Sequence, residues 1–156
     1  MIEIIKNDIL ESKEKYIAHS CNCISSRAAG VAKSIFDKYP YGDTYACRKL
    51  PDVPGTISIL GNGYDFRYII NMFSLYYPGN PKYPNSSLDG MRAREKYFHQ
   101  CLMKVSRIEN LESIAFPYKI SCNLGGGNWD HYLGTLTNFA NHIYKTQNAK
   151  TYLYKL

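Results

Sequence analysis

The sequence predicts an α/β protein, a three-layer α/β/α sandwich whose central sheet is mixed and largely parallel. Strand-like and helix-like segments alternate from end to end of the 156 residues, with no repeat, low-complexity tract or domain-length linker between them. Hydrophobic residues make up 45% of the chain and charged residues 21%, a globular composition long enough to bury a real core. One domain spanning residues 1–156 is the expected organisation.

Each element follows from local pattern. Met1–Lys6 reads as a short buried strand through Ile2, Ile4 and Ile5, and Tyr16–Ser20 as a second strand. Gly30–Lys38 reads as a helix with Val31, Ile35 and Tyr39 on one face, ended by Pro40. Thr56–Leu60 and Tyr68–Ser74 are strands joined by the turn Gly61–Asp65. The Pro/Gly/Asn-rich stretch Pro78–Asn85 reads as a flexible, functional loop. Ser87–Arg107 has helical spacing through Met91, Phe98, Leu102 and Val105, and Ser113–Phe116 is a strand that stops at Pro117. Trp129–Lys145 is the last helix, with Leu133, Leu136, Phe139 and Ile143 aligned, and Thr151–Tyr154 closes the chain as a strand.

The formal charge of +6, from 19 basic and 13 acidic residues, favours anionic partners. The basic residues are scattered without a consecutive block, which makes a broad nucleic-acid footprint a weaker reading than a phosphorylated small molecule or an acidic protein surface. Five cysteines form no paired framework and nothing reads as a secretory leader, so a reducing, cytoplasmic location is expected. No apolar run approaches the roughly 20 residues of a membrane span.

Two loops carry the chemistry. His19-Ser20-Cys21-Asn22-Cys23-Ile24-Ser25-Ser26-Arg27-Ala28-Ala29-Gly30-Val31-Ala32 follows a strand and opens a helix. Small residues there admit a ligand close to the backbone, and a helix N-terminus offers unpaired N–H groups to a pyrophosphate. Ser121-Cys122-Asn123-Leu124-Gly125-Gly126-Gly127-Asn128-Trp129 again joins strand to helix. Its glycine run marks left-handed backbone or close approach, and successive N–H groups make an anion-binding concavity. Each loop alone reads equally well as a turn and a helix cap; two at equivalent strand ends favour a phosphate site. Neither fits the Walker or the Rossmann spacing.

These residues resemble the macro domain family. Lys6-Asn7-Asp8-Ile9 is similar to that family's opening Gly-Asp-Ile turn, Asn22 followed by Gly30-Val31-Ala32 to its Asn…Gly-Gly-Gly-Val-Ala stretch, and Pro117–Gly126 to its second phosphate loop. The resemblance implies that Asp8 receives the adenine amino group beside Ile9 and that Asn22 touches the distal ribose. It places the phosphates against Ala29, Gly30 and Val31 and against Ser121, Cys122, Asn123, Leu124, Gly125 and Gly126, while Arg27, read from the first loop itself, adds a formal charge there. Ile17–Cys23 and Lys38-Tyr39-Pro40 look closest to the branch that dephosphorylates ADP-ribose 1″-phosphate. The branch that uses a lysine nucleophile and a second-loop aspartate is disfavoured, because the matching stretches read Ser74-Leu75-Tyr76-Tyr77 and Leu124-Gly125. Ala28 and Ala29 replace two of the family's glycines and narrow the first loop. Asn123 replaces another, and is expected to tolerate a left-handed backbone there.

Expected roles follow. His19 and Asn22 are the catalytic candidates: His19 as acid/base or electrostatic partner of the 1″-phosphate, Asn22 as the group that positions a water. The alternative for His19 is a buried, hydrogen-bonded histidine; for Asp8 it is a turn or cap residue, and for Asn22 a loop residue bonding its own backbone. Phe73, Tyr76, Tyr77, Tyr83 and Trp129 include candidate walls for a base, with packing as the alternative. His19-x-Cys21-x-Cys23 lacks zinc spacing and a partner pair, so no metal and no cofactor is expected. The expected activity is that of an ADP-ribose 1″-phosphate phosphatase-like hydrolase. Its competitor is a non-catalytic reader of ADP-ribose, an ADP-ribosylated protein or an ADP-ribose-like signal. Neither a nucleic acid nor a membrane is an expected partner.

Overall fold

In the computed structural model, which describes residues 1–156, strands β1 (Ile2–Lys6), β2 (Tyr16–Asn22), β3 (Ile57–Leu60), β4 (Tyr68–Leu75), β5 (Ser113–Pro117) and β6 (Lys150–Lys155) build one sheet. Its order is β1-β6-β5-β2-β4-β3. Neighbours from β1 to β4 are parallel, and only the edge strand β3 runs antiparallel, against β4. The mixed, largely parallel sheet expected from the alternation is therefore present.

Side chains alternate across this sheet into two cores. On one face Ile17, Cys21, Ile69, Phe73 and Ala115 meet Ala32, Ile35 and Phe36 of helix α1 (Gly30–Lys38). On the other, Ala18, Ile70, Met72, Ile114, Phe116 and Leu153 meet α2 (Met91–Ser106) and α3 (Trp129–Gln147). Cys21 and Cys23 share the α1 side, as their spacing requires. No helix is long and apolar enough to cross a membrane.

The departures from expectation have local causes. β1 is an edge strand rather than a buried one, and Ile4 is 55% exposed. The buried stripe of α1 is Ala32, Ile35 and Phe36, which leaves Val31 exposed on the loop side. α2 begins at Met91 instead of Ser87. Ser86 Oγ accepts from Leu88 N and Asp89 N, holding a turn, and Asp89 is drawn inward onto Arg94 and Tyr76 N. α3 runs to Gln147 because Asn148, at φ 55°, takes the left-handed cap position. Asn128 caps its other end by accepting from His131 N at 3.3 Å.

Candidate functional site

β2, β4 and β5 are parallel, so their carboxyl ends open onto the same edge of the sheet. The two glycine-bearing loops leave from the ends of β2 and β5 and line one cleft of about 510 Å³. Arg27, Ala29, Gly30 and Val31 form one wall; Ser121, Asn123, Leu124 and Gly125 form the other, and Pro78 and Gly79 close the end beside β4. The walls touch where Gly30, at φ +58°, lies under the side chain of Leu124, 2.6 Å from where a Cβ would stand.

The first wall is organised around Asn22. Its Oδ1 accepts from Ile24 N at 3.1 Å and Ser25 N at 2.8 Å, which fixes the amide and leaves Nδ2 as the donor for the cleft. Tyr45 Oη accepts from Asn22 N at 2.7 Å. Arg48 donates to Asn22 O at 2.8 Å and Ser25 O at 3.2 Å, while its guanidinium lies 4.6 Å from the Tyr45 ring centroid and pairs with Asp52 at 3.0 Å. Ala29 caps α1 with no side-chain hydrogen bond, so the first-turn N–H groups at Gly30 and Val31 carry the helix's partial positive charge into the cleft.

The second wall is built on strained backbone. Lys119 (φ 58°) and Ser121 (φ 66°) are left-handed, and the expected left-handed Asn123 is not. Ser121 can hold that conformation because its Oγ bonds Ser20 Oγ, which in turn accepts from Ser74 Oγ at 2.9 Å. The glycine run meets both of its expected needs. Gly126 is left-handed at φ 69°, and Gly125 and Gly127 approach Ser121 O at distances of 2.6 and 2.9 Å from a hypothetical Cβ. Gly127 N donates to that same carbonyl at 3.0 Å.

Of the candidates named from sequence, His19, Asn22, Arg27, Ala29, Gly30, Val31, Ser121, Asn123, Leu124 and Gly125 are brought to this cleft; Asp8, Ile9, Cys122 and Gly126 do not line it. Asp8 lies past the end of β1, where it caps a short 3-10 turn (Ile9–Glu11) by accepting from Leu10 N at 3.0 Å, and Ile9 is buried against the α1 core. Gly126 sits against Asn80 of the loop after β4. Cys122 packs on the α2/α3 core, and burial pushes its thiol up to about 11.

His19 is 1% exposed at the cleft floor. Asn71 Nδ2 donates to Gly42 O and to Ser58 Oγ, so Asn71 Oδ1 is an acceptor and His19 Nε2 carries the proton given to it at 2.7 Å. Burial lowers the imidazole from 6.5 to about 4, against the opposing pull of that hydrogen bond. The ring packs edge-on to Phe36 at 5.2 Å.

Phe73 is core, Tyr77 and Tyr83 are exposed, and Trp129 meets Tyr118 edge-on at 5.1 Å. Tyr118 lines the cleft and carries Lys155 Nζ at 4.7 Å from its ring centroid. The sequence reading did not single out Ser20, Tyr45, Tyr118 or Lys119 on the lining, or the arginines Arg48 and Arg94 behind it. A second hollow, of about 480 Å³ between α2 and α3, shares no residue with this cleft.

Strand order, helix layers and the loops at the strand ends are those of the macrodomain fold. The macrodomain of Mycobacterium tuberculosis DarG superposes with a TM-score of 0.76 at 19% identity, over 100% of this chain and 98% of that one. A variant Oceanobacillus iheyensis macrodomain with ADPR gives a TM-score of 0.67 at 18% identity, over 99% of this chain and 84% of the other. In sequence, the chain is 27% identical over 156 residues to an uncharacterized 17.5 kDa protein of the tk-vs intergenic region of Enterobacteria phage T4, with 92% of each covered. No family model matches the chain.

Proposed function

We propose that this chain binds ADP-ribose, or a molecule that carries it, with the diphosphate between the N-terminus of α1 and the loop 121–126. The observation that carries this reading is the convergence of both phosphate-type loops on one cleft, with a free helix N-terminus on one side. Arg27 and Lys119 add positive charge to a lining that contains no carboxylate. Asn22 Nδ2 meets the distal ribose, and Asp8, with Oδ1 engaged by Leu10 N, offers its other oxygen to the adenine amino group. A solved macrodomain with ADPR bound has the same fold. Residues 1–156 act as one such module.

Hydrolysis of ADP-ribose 1″-phosphate is the finer reading, with water held at Asn22. His19 is a poor proton carrier in that scheme, because its ring is buried, neutral at pH 7 and engaged with Asn71. That placement favours its packing alternative and gives weight to the second reading, a binder of ADP-ribose or ADP-ribosylated protein that leaves the ligand intact.

Calorimetry with ADP-ribose, followed by phosphate release from ADP-ribose 1″-phosphate, separates the two. Heat with release supports the hydrolase and heat alone the binder; no heat with either ligand rejects both. Ala29→Asp locates the anion: an aspartate at the helix cap suits the fold but repels a diphosphate. We expect affinity to fall by about tenfold or more with no loss of stability. Unchanged affinity would move the phosphates elsewhere.

A further inference from the structure

Arg94, on the first turn of α2, is 2% exposed, and all five of its N–H groups have partners. Nε and Nη2 donate to the two oxygens of Asp89 at 3.1 and 2.7 Å, and Nη2 also donates to Tyr77 O at 3.0 Å. Nη1 donates to Gly79 O at 2.6 Å and to Gly125 O at 3.0 Å. Asp89, itself 5% exposed, accepts in addition from Tyr76 N at 2.7 Å. Tyr77 and Gly79 belong to the loop after β4, Gly125 to the loop after β5, and Gly79 and Gly125 both line the cleft. Tyr76 O accepts from Cys23 N at 3.1 Å, so this junction stands beside Asn22.

We infer that Arg94, oriented by Asp89, is a positioning residue that fixes the spacing of the loops 77–80 and 121–126 and so sets the cleft width at its Asn22 end. The inference rests on the ADP-ribose reading above for what occupies that end, the distal ribose. A planar guanidinium reaches two loops and a carboxylate at once. A lysine has three donors on one nitrogen and cannot hold all these acceptors. The carbonyls are spread along the sequence, and this side chain joins the two loops directly, with the Asn80–Gly126 contact beside it.

Arg94→Lys tests it, with ADP as the ligand that lacks the distal ribose. The expected result is ADP-ribose affinity weakened by about tenfold or more and ADP affinity changed by only about twofold. In amide exchange of the unliganded protein, residues 77–80 and 123–127 should lose protection together while β2 and α3 keep theirs. Equal weakening of the two ligands, or exchange that rises across the whole sheet, overturns the inference. If Arg94→Lys does not fold, Asp89→Asn is measured in the same way, since it loosens the orienting carboxylate and keeps the guanidinium. Should wild-type protein bind neither ligand, the ADP-ribose reading fails, and the exchange measurement still decides whether Arg94 couples the loops.

Discussion

The two walls of the cleft are each tied down by a buried arginine, but on different terms. Arg94 behind the second wall has every donor satisfied and a carboxylate that is itself buried. Arg48 behind the first wall rests on the faces of Tyr45 and Phe73, leaves Nε without a partner, and pairs with an Asp52 whose side chain is 34% exposed. The backbone differs in parallel. Strain in the second wall sits on Lys119 and Ser121, which have no intrinsic freedom there, whereas the first wall puts its positive φ on Gly30. A wall made of reluctant backbone needs a fully engaged clamp; a wall that ends in a free helix turn does with a looser one. The second wall is thus the more completely cross-braced of the two.

Three perturbations sharpen this contrast. Arg94→Met strands Asp89 as an unpaired buried charge and should lower unfolding stability by about 3–5 kcal/mol in urea titration; a loss under about 1 kcal/mol would show the second wall to be no better held than the first. His19 gives the next largest effect. Its imidazole titrates near 6.5 when unfolded and about 4 when folded, so the unfolded chain takes up the proton first as the pH drops. The stability held above pH 6.5 is lost as pH falls through about 4, by about 3 kcal/mol in full. Urea midpoints at several pH values should decline less steeply for His19→Gln than for wild type, and parallel declines would remove His19 as the cause. Arg48→Met comes last, at about 1–2 kcal/mol, because water can replace its bonds to the half-buried loop. Equality of the two arginine variants would erase the distinction drawn between the walls.

Much of this architecture is legible in one-dimensional pattern. α1 is bounded by a small-residue loop and Pro40, so Gly30–Lys38 agrees at both ends. The loops betray themselves by glycines at strand exits. What stays hidden is whatever long-range partners create. Arg94 reads as surface charge unless one sees that it falls in the apolar stripe of Phe98, Cys101, Leu102 and Val105, the one local sign that it points inward. Arg48 has no such sign, since its acceptors lie 23 and 26 residues away. The left-handed residues moved from Asn123 to Ser121 for the same reason: Ser20, 101 residues distant, supplies the compensating bond. Asn22 is legible from its place before Gly30-Val31-Ala32, but its partners Tyr45 and Arg48 are not.

One irregularity in the sheet bears on how such a chain can drift over generations. β2 pairs Cys21 with Phe73 but Asn22 with Leu75, so the ladder skips Ser74. That slip lets Ser74 reach Ser20 while Asn22 still arrives at the sheet's edge. Between residues 72 and 76 the number of residues is therefore constrained along with the identities of Phe73 and Ser74, the one in the core and the other bonded to Ser20. Lineages should gain and lose residues freely in the exposed 61–66 turn and almost never here.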